Sequence, residues 1–128
     1  AVTWGNEAER MRAEWIAQGD TPVTVIPRVP LTEVAHLLSH AAGAVAVDTG
    51  LGHLAAALSL PCVSIYGSTD AALTGTRGAK QVQLQSDYPC SPCLLKKCPK
   101  LTAQITTPPC YQQFDPAAIW QQLQQQIV

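Results

Sequence analysis

Ala44-Val45-Ala46-Val47-Asp48-Thr49-Gly50-Leu51-Gly52-His53-Leu54-Ala55-Ala56-Ala57-Leu58 is the stretch that decides the fold. Its first four residues are short, apolar and Val-rich, which suits a strand covered on both faces. Its last five, Leu54 to Leu58, are an Ala/Leu run with high helix propensity. Between them an acid, a hydroxyl, two glycines and a histidine share six positions. A strand–turn–helix of this kind leaves unpaired backbone N–H groups, and a positive dipole end, at the carboxyl edge of a sheet. Anions bind there in open α/β folds.

Moving outward, Ala1–Trp4 reads as the end of a strand. Asn6 can cap a helix that carries Glu7 and Glu9 in its first turn. Met11, Trp15 and Ile16 form that helix's apolar stripe, and Gly19 is a plausible stop. Val23–Ile26 reads as a second strand, and Leu31–Leu38 has apolar residues at helical spacing. After the central stretch, Cys62–Tyr66 is the next strand. Ser68-Thr69-Asp70 places hydroxyls and an acid at its carboxyl edge. Gln81–Leu84 alternates like a half-exposed edge strand. Tyr88–Tyr111 breaks the pattern with prolines, four cysteines and little periodicity. Asp115 then caps a helix with Pro116 in its first turn, an apolar stripe of Ala118, Ile119, Leu123 and Ile127, and a Gln-rich outer face.

Strand and helix alternate with connections too long for hairpins. This predicts an α/β fold, a Rossmann-like parallel sheet of four or five strands with helices on both faces. The 128 residues suit one domain, or part of one. The chain is read as a single partial domain over 1–128, with a Cys/Pro-rich loop at 88–111. It opens at Ala1 without an initiator Met, and a preceding strand–helix unit is expected upstream. Apolar content is 47% and charged content 13%, which supports a buried core and argues against a disordered chain. The net charge of −1 gives no electrostatic pull toward nucleic acid. No apolar run approaches the roughly 18 residues of a membrane span, and no signal-peptide pattern is present. The expected compartment is the cytoplasm.

The Asp48-Thr49-Gly50 turn has two readings. One is a capped βα turn in which Asp48 or Thr49 bonds the helix start. The other is a sugar-nucleotide site. There the Thr49 and Gly50 amides, with the Thr49 hydroxyl, hold phosphate. Asp48, repelled by phosphate, accepts from sugar hydroxyls. Gly52 allows close approach of a ligand to the backbone. His53, about one turn after Gly50, can face the same ligand, and the helix dipole favours its neutral form. His36 and His40 read as ordinary surface or core residues.

Val47–Leu58, the following Pro61, and then Tyr66-Gly67-Ser68-Thr69-Asp70 closely resemble the lipopolysaccharide heptosyltransferases, ADP-heptose glycosyltransferases of family 9 that share a D-[TS]-G-L-x-H-[LV]-x-A-A-L signature. Trp4–Arg10 looks like the family's Trp-Gly segment, so the likeness covers nearly the whole chain. The resemblance implies a GT-B fold of two Rossmann-like halves. This chain would be most of the C-terminal, donor-binding half. It implies that the amides at Thr49 and Gly50 hold the diphosphate of ADP-heptose, with Leu51 in the same donor-binding turn, and that Asp48 and His53 contact the heptose. Thr69 belongs to the same donor set. Glu9 aligns with an acid near the adenosine ribose, although it also reads as a solvated first-turn acid. Val29 aligns with the adenine pocket. Asp48-Thr49 and the Thr69-Asp70 pair look closest to the type I branch, which adds the first heptose to the Kdo inner core. Ser68 stands where the family commonly has proline.

By the same resemblance the reaction is an inverting transfer that needs no cofactor. The catalytic base is expected in an N-terminal domain outside this chain, so no catalytic residue is assigned here and the fragment alone should be inactive. The implied acceptor is Kdo-bearing lipid A, reached through that domain, at the cytoplasmic face of the inner membrane. Heptosyltransferase II or another nucleotide-sugar transferase of the family is the nearest alternative. A non-catalytic nucleotide- or metal-binding interaction domain is the alternative from a different class.

Cys90-x2-Cys93-x4-Cys98-x11-Cys110 is the second constellation, and several family members carry a similar segment. A Cys-x2-Cys knuckle with two further thiols can supply a structural zinc site. Two disulfides, or four reduced thiols, are the other readings, and all three stay open. Lys96, Lys97, Lys100 and nearby Arg77 make this the most basic region. It reads as a solvated loop or as a patch facing the acceptor or the membrane. Cys62, on a strand, reads as core.

Overall fold

A computed structural model describes all 128 residues, which fall into two compact units, Ala1–His36 and Leu37–Val128.

In the first unit the two expected strands meet only at a single parallel bridge, Val2 to Val25. Val2 donates to the Thr24 carbonyl at 2.9 Å, and Ile26 donates to that of Val2 at 2.9 Å. Proline at 22, 27 and 30 removes donors on either side, so the pairing cannot lengthen into a ladder. Helix α1 spans Glu7–Ala17. Asn6 caps it as expected, its Oδ1 accepting from the Glu9 amide at 2.9 Å. Gln18 forms the C-cap, one residue before the expected Gly19. The stripe of Met11, Trp15 and Ile16 is not a core face: Trp15 is 74% exposed and only Ala13 is buried. A unit of this size has too little apolar mass to cover so wide a stripe. Helix α2, Leu31–Ser39, follows Pro30, whose carbonyl accepts from Glu33 and Val34.

The second unit holds a parallel sheet of three strands, β1 (Ala44–Val47), β2 (Cys62–Tyr66) and β3 (Gln81–Gln85), in the order β1-β2-β3. The expected count of four or five is therefore too high, because the first two candidates stop at one bridge. Helix α3 (Gly50–Ala57) packs on β1 and β2. Ala55, Leu60 and Cys62 form the core there, joined by Leu38, Ala44 and Ala46. Gly52 packs closely at this face: a Cβ would lie 3.3 Å from Ala46 Cβ, tighter than ordinary contact.

Helix α6 (Pro116–Ile127) is capped by Asp115, whose Oδ1 accepts from Ala117 at 3.0 Å. It packs over β2 and β3. Val63 points away from the α3 face, by strand alternation, and is fully buried. Leu123 is the helix's buried anchor. A Cβ on Gly43 would come within 2.9 Å of Leu123 Cδ1 and 3.1 Å of Ile127 Cδ1. Ala118 is exposed, and Gln122 and Gln126 are half-buried in its place, so the inward stripe is rotated from the expected one.

Helices thus lie on both faces, as the sequence implied, but β1 is covered on one face only. Val45 is 49% and Val47 44% exposed. β1 is the sheet edge, and α6 is centred on the other two strands. β3 is the other edge strand and is half-exposed, as expected, with its Gln row bonding nearby carbonyls. Gln81 Nε2 donates to the Leu60 carbonyl at 2.8 Å, and Gln83 donates to that of Thr76. Gln85 reaches four partners, described below. Two short helices complete the unit, α4 (Ala71–Thr74) and α5 (Pro109–Gln112).

Candidate functional site

The carboxyl edge of the sheet is assembled from the turns after β1 and β2. Their ends are adjacent because Val47 pairs with Ile65. Helix α3 begins at Gly50, several residues before the Ala/Leu run, so the whole Gly50–His53 segment is its first turn. Thr49 is the N-cap by position, yet its side chain makes no capping bond. Asp48 does not cap either: its Oδ2 accepts from Thr74 Oγ1 at 2.8 Å. The capped-turn reading of these side chains is therefore not what forms. The Gly50 and Leu51 amides, at the first two helical positions, have no protein acceptor, whereas those of Gly52 and His53 bond the Thr49 carbonyl. Two free N–H groups thus sit at the positive end of α3.

Asp48 is mostly covered, with 16% of its side chain exposed, while that of His53 is 50% exposed. Asp48 Oδ1 lies 3.9 Å from His53 Nε2. That is too long for a hydrogen bond, and suits two groups that bond a common hydroxyl or water between them. Thr69 follows β2 and is half-buried; its carbonyl accepts from Gln85 Nε2 at 3.1 Å. Asp70 resolves as a cap, its Oδ1 accepting from Ala72 at 2.9 Å at the head of α4.

Two members of this edge were not picked out from the sequence. Thr74 is the partner of Asp48, brought round by α4. Tyr111 arrives from α5, more than sixty positions after Asp48 in the chain. Burial pushes its phenol up, and the neighbouring Cys110 and Asp48 charges act in the same direction, against a hydrogen bond to the Gly67 backbone. Its ring packs directly on Gly67, where a Cβ would lie 2.8 Å from Cε2. The only cue in the sequence was the conjunction of Gly67 with a distant aromatic.

Glu9 and Val29 lie in the first unit. Glu9 is more than a solvated acid: its Oε2 accepts from the Gly5 amide at 2.7 Å, closing the helix start reciprocally with Asn6. Val29 is half-buried.

Beside the edge lies a cavity of about 270 Å³ lined by all four clustered cysteines, Lys96, Lys100, Ser68 and Tyr111. Cys110 is buried at 7% exposure, and burial pushes its thiol up, with the charges of Cys90, Cys98 and Cys93 adding to the effect. All five cysteines of the chain are free. No three of the His, Cys, Asp and Glu side chains stand grouped tightly enough to hold a metal ion as they are. Of the basic residues expected to form a patch, Arg77 is tied to the Ala72 carbonyl at 2.8 Å, and Lys100 lies 5.8 Å from the centre of the Tyr88 ring. Ser68 contributes its carbonyl to the loop, accepting from Leu94 at 2.7 Å.

The sequence profile of glycosyltransferase family 9 (heptosyltransferase) matches residues 1–103. The chain belongs to this family. It is 50% identical over 97 residues to lipopolysaccharide heptosyltransferase 1 of Pseudomonas aeruginosa, covering 76% of this chain and 27% of that protein. It is 46% identical over 81 residues to the Salmonella typhimurium protein of the same name, covering 63% and 26%. The chain thus spans about a quarter of the length of these curated relatives. Its fold matches that of E. coli heptosyltransferase WaaC solved with ADP, at a TM-score of 0.63 and 42% identity, covering 66% of this chain and 26% of that one. It also matches WaaC solved with ADP-2-deoxy-2-fluoro heptose, at a TM-score of 0.59 and 39% identity, covering 66% and 25%. The Rossmann-like α/β layer is therefore that of a family 9 glycosyltransferase. Within it, the edge carries free amides at a helix start, a positioned carboxylate, and a neighbouring imidazole.

Proposed function

We propose that the chain is part of the C-terminal, donor-binding half of a GT-B heptosyltransferase of type I, which transfers heptose from ADP-heptose to the Kdo inner core of lipopolysaccharide. The observation that carries this reading is the turn after β1. Its two potential capping side chains leave the α3 amides free, and Asp48 is held by Thr74 rather than by the helix. The free amides of Gly50 and Leu51, with those of Thr49 and its hydroxyl, complement the charge of a diphosphate. They hold the leaving group and take up the negative charge that grows on it as the glycosidic bond breaks. Asp48 and His53 stand close enough to bond one sugar hydroxyl together and set the heptose orientation. Asp48 is an acceptor fixed by Thr74 and is not assigned as the catalytic base. Thr69 lines the same edge from β2. Glu9 and Val29 are taken as ribose and adenine contacts on family resemblance alone.

The acceptor is Kdo-bearing lipid A, met by parts of the enzyme beyond this segment. A cytoplasmic enzyme working on it meets the inner membrane peripherally. No helix here is long and apolar enough to cross a membrane. The basic loop, with exposed Leu94 and Leu95 beside Lys96 and Lys97, suits an anionic lipid surface.

Calorimetry of the intact protein with ADP and ADP-heptose tests the division of labour. Asp48→Ala is expected to leave ADP affinity within about threefold and to remove the extra affinity that the heptose confers. Loss of ADP binding on Asp48→Ala alone would overturn the assignment of Asp48 to the sugar. Absence of saturable adenine-nucleotide binding would overturn the transferase reading.

A further inference from the structure

Residues 88–108 contain no helix or strand, and little apolar burial holds them. Leu94, Leu95, Leu101 and Ile105 are all exposed. Near its start the loop is tied to the sheet edge, by Leu94 to the Ser68 carbonyl and by Ser91 Oγ to the Gly67 carbonyl at 2.6 Å. From 95 to 107 the hydrogen bonds are local ones, chiefly about Thr102 and Ile105. Ordering a segment of this length costs on the order of 1 kcal/mol per residue, which these contacts do not offset.

The four cysteines of the segment nevertheless line one cavity, although they come from three places: the knuckle, the loop and α5. Leu94 takes φ +59° directly after Cys93, a left-handed residue that bends the chain at the end of the knuckle. Cys110 is the fixed member. It is buried on α5 against Gly67, where a Cβ would lie 2.9 Å from its Sγ.

We propose that Cys90, Cys93, Cys98 and Cys110 bind a thiophilic divalent cation, zinc, as a tetrathiolate that pins this loop to the carboxyl edge of the sheet. The thiols are not yet grouped at ligating distance. Binding therefore draws the knuckle and Cys98, which ride on an exposed loop, toward the fixed Cys110, until each Zn–S distance is about 2.3 Å. Four S–H bonds break, four Zn–S bonds form, and the four protons pass to solvent; nothing is oxidised or reduced. The metal and four thiolates together carry a charge of about −2, and the Lys96 and Lys100 ammonium groups on the cavity wall offset it. An all-sulfur donor set selects zinc over magnesium or calcium.

The test uses the intact protein, purified in reductant without chelator, with metal measured by mass spectrometry. About one zinc per chain is expected. Replacement by cobalt(II) should give thiolate-to-cobalt charge-transfer absorption and the intense visible bands of a tetrahedral site. Cys90→Ser and Cys98→Ser, both on the loop and away from the core, should weaken zinc retention at least about tenfold against a competing chelator. Cys62→Ser, on β2, should leave it unchanged. Zinc below about half an equivalent, with no thiolate band on adding cobalt, overturns the proposal. So does peptide mapping that finds these cysteines in disulfides, or full metal content in the loop variants. Either negative result leaves the donor-site reading untouched, because ADP binding is measured separately.

Discussion

The turn after β1 and the loop after β3 both leave the carboxyl edge of the same sheet, and they are held by different means. The β1 turn is short and passes straight into α3, so its backbone is set by regular structure and its polar groups are left over for a ligand. The 88–108 segment has no regular structure and uses its polar groups on itself and on the edge. The two are joined at β2. Gln85 donates from Nε2 to the Tyr66 carbonyl at 3.2 Å, the Thr69 carbonyl at 3.1 Å and Ser91 Oγ at 3.1 Å, and its Oε1 accepts from Ala71 at 2.9 Å. One side chain thus fixes the Thr69 turn, the start of α4 and the root of the cysteine loop. Function placed on a turn needs a rigid scaffold behind it. Function placed on a loop needs a cross-link.

The largest effect is expected where the regions join. Gln85→Ala removes four hydrogen bonds at once and should cost about 3 kcal/mol in urea unfolding of the intact protein. If the loss is no greater than for a surface Gln such as Gln124, the β1 turn and the loop are mechanically independent. Next, Gly67→Ala forces a methyl against Tyr111 and Cys110 and should cost about 2 kcal/mol. It should also speed alkylation of Cys110, which unchanged labelling would refute. Asp70→Ala unseats α4 and should cost about 1 kcal/mol. Because α4 carries Thr74, that variant should also lower affinity for ADP-heptose more than for ADP. Equal losses would place the effect in the fold alone. Thr74→Val should be the mildest for stability, about 0.5 kcal/mol, since its bond to Asp48 is exposed.

The pH dependence sharpens the same comparison. Burial raises the Cys62 thiol above its ordinary 9.0. The folded state therefore keeps a proton that the unfolded chain gives up as pH rises past that value. The stabilisation is complete below the ordinary thiol range and falls away above it. Denaturation midpoints should be level from neutral to mildly alkaline pH and decline beyond pH 9. Cys62→Ala should flatten that decline.

The β1–α3 turn was legible because each cue acts over a few residues: a Val-rich run, an Asp-Thr-Gly turn, then Ala and Leu. Helix α6 was legible for the same reason, through Asp115 and Pro116. The misreadings share one cause, since each depends on what lies across space. Val45 and Val47 look like core until β1 proves to be the edge. Met11, Trp15 and Ile16 make a good stripe with too little to pack on. Val2 and Val25 pair once and go no further between prolines. Of the site, the Asp48–His53 turn could be read locally. Thr74 and Tyr111 could not, because α4 and α5, each of four residues, bring them in through tertiary packing.

Cys110 and Tyr111 sit side by side on α5, locked onto Gly67 by contacts that leave no room for a methyl. The position of Tyr111 at the edge is therefore set from the β2 side, independently of how many residues lie between Lys100 and Thr107. Insertions or deletions in that interval, beyond the cavity-lining Cys98 and Lys100, change the contour of a surface excursion, and the entropy of closing it varies slowly with length. The segment is a natural place for lengths to diverge among homologues, and a practical site for grafting a tag or an epitope without disturbing the residues around Asp48.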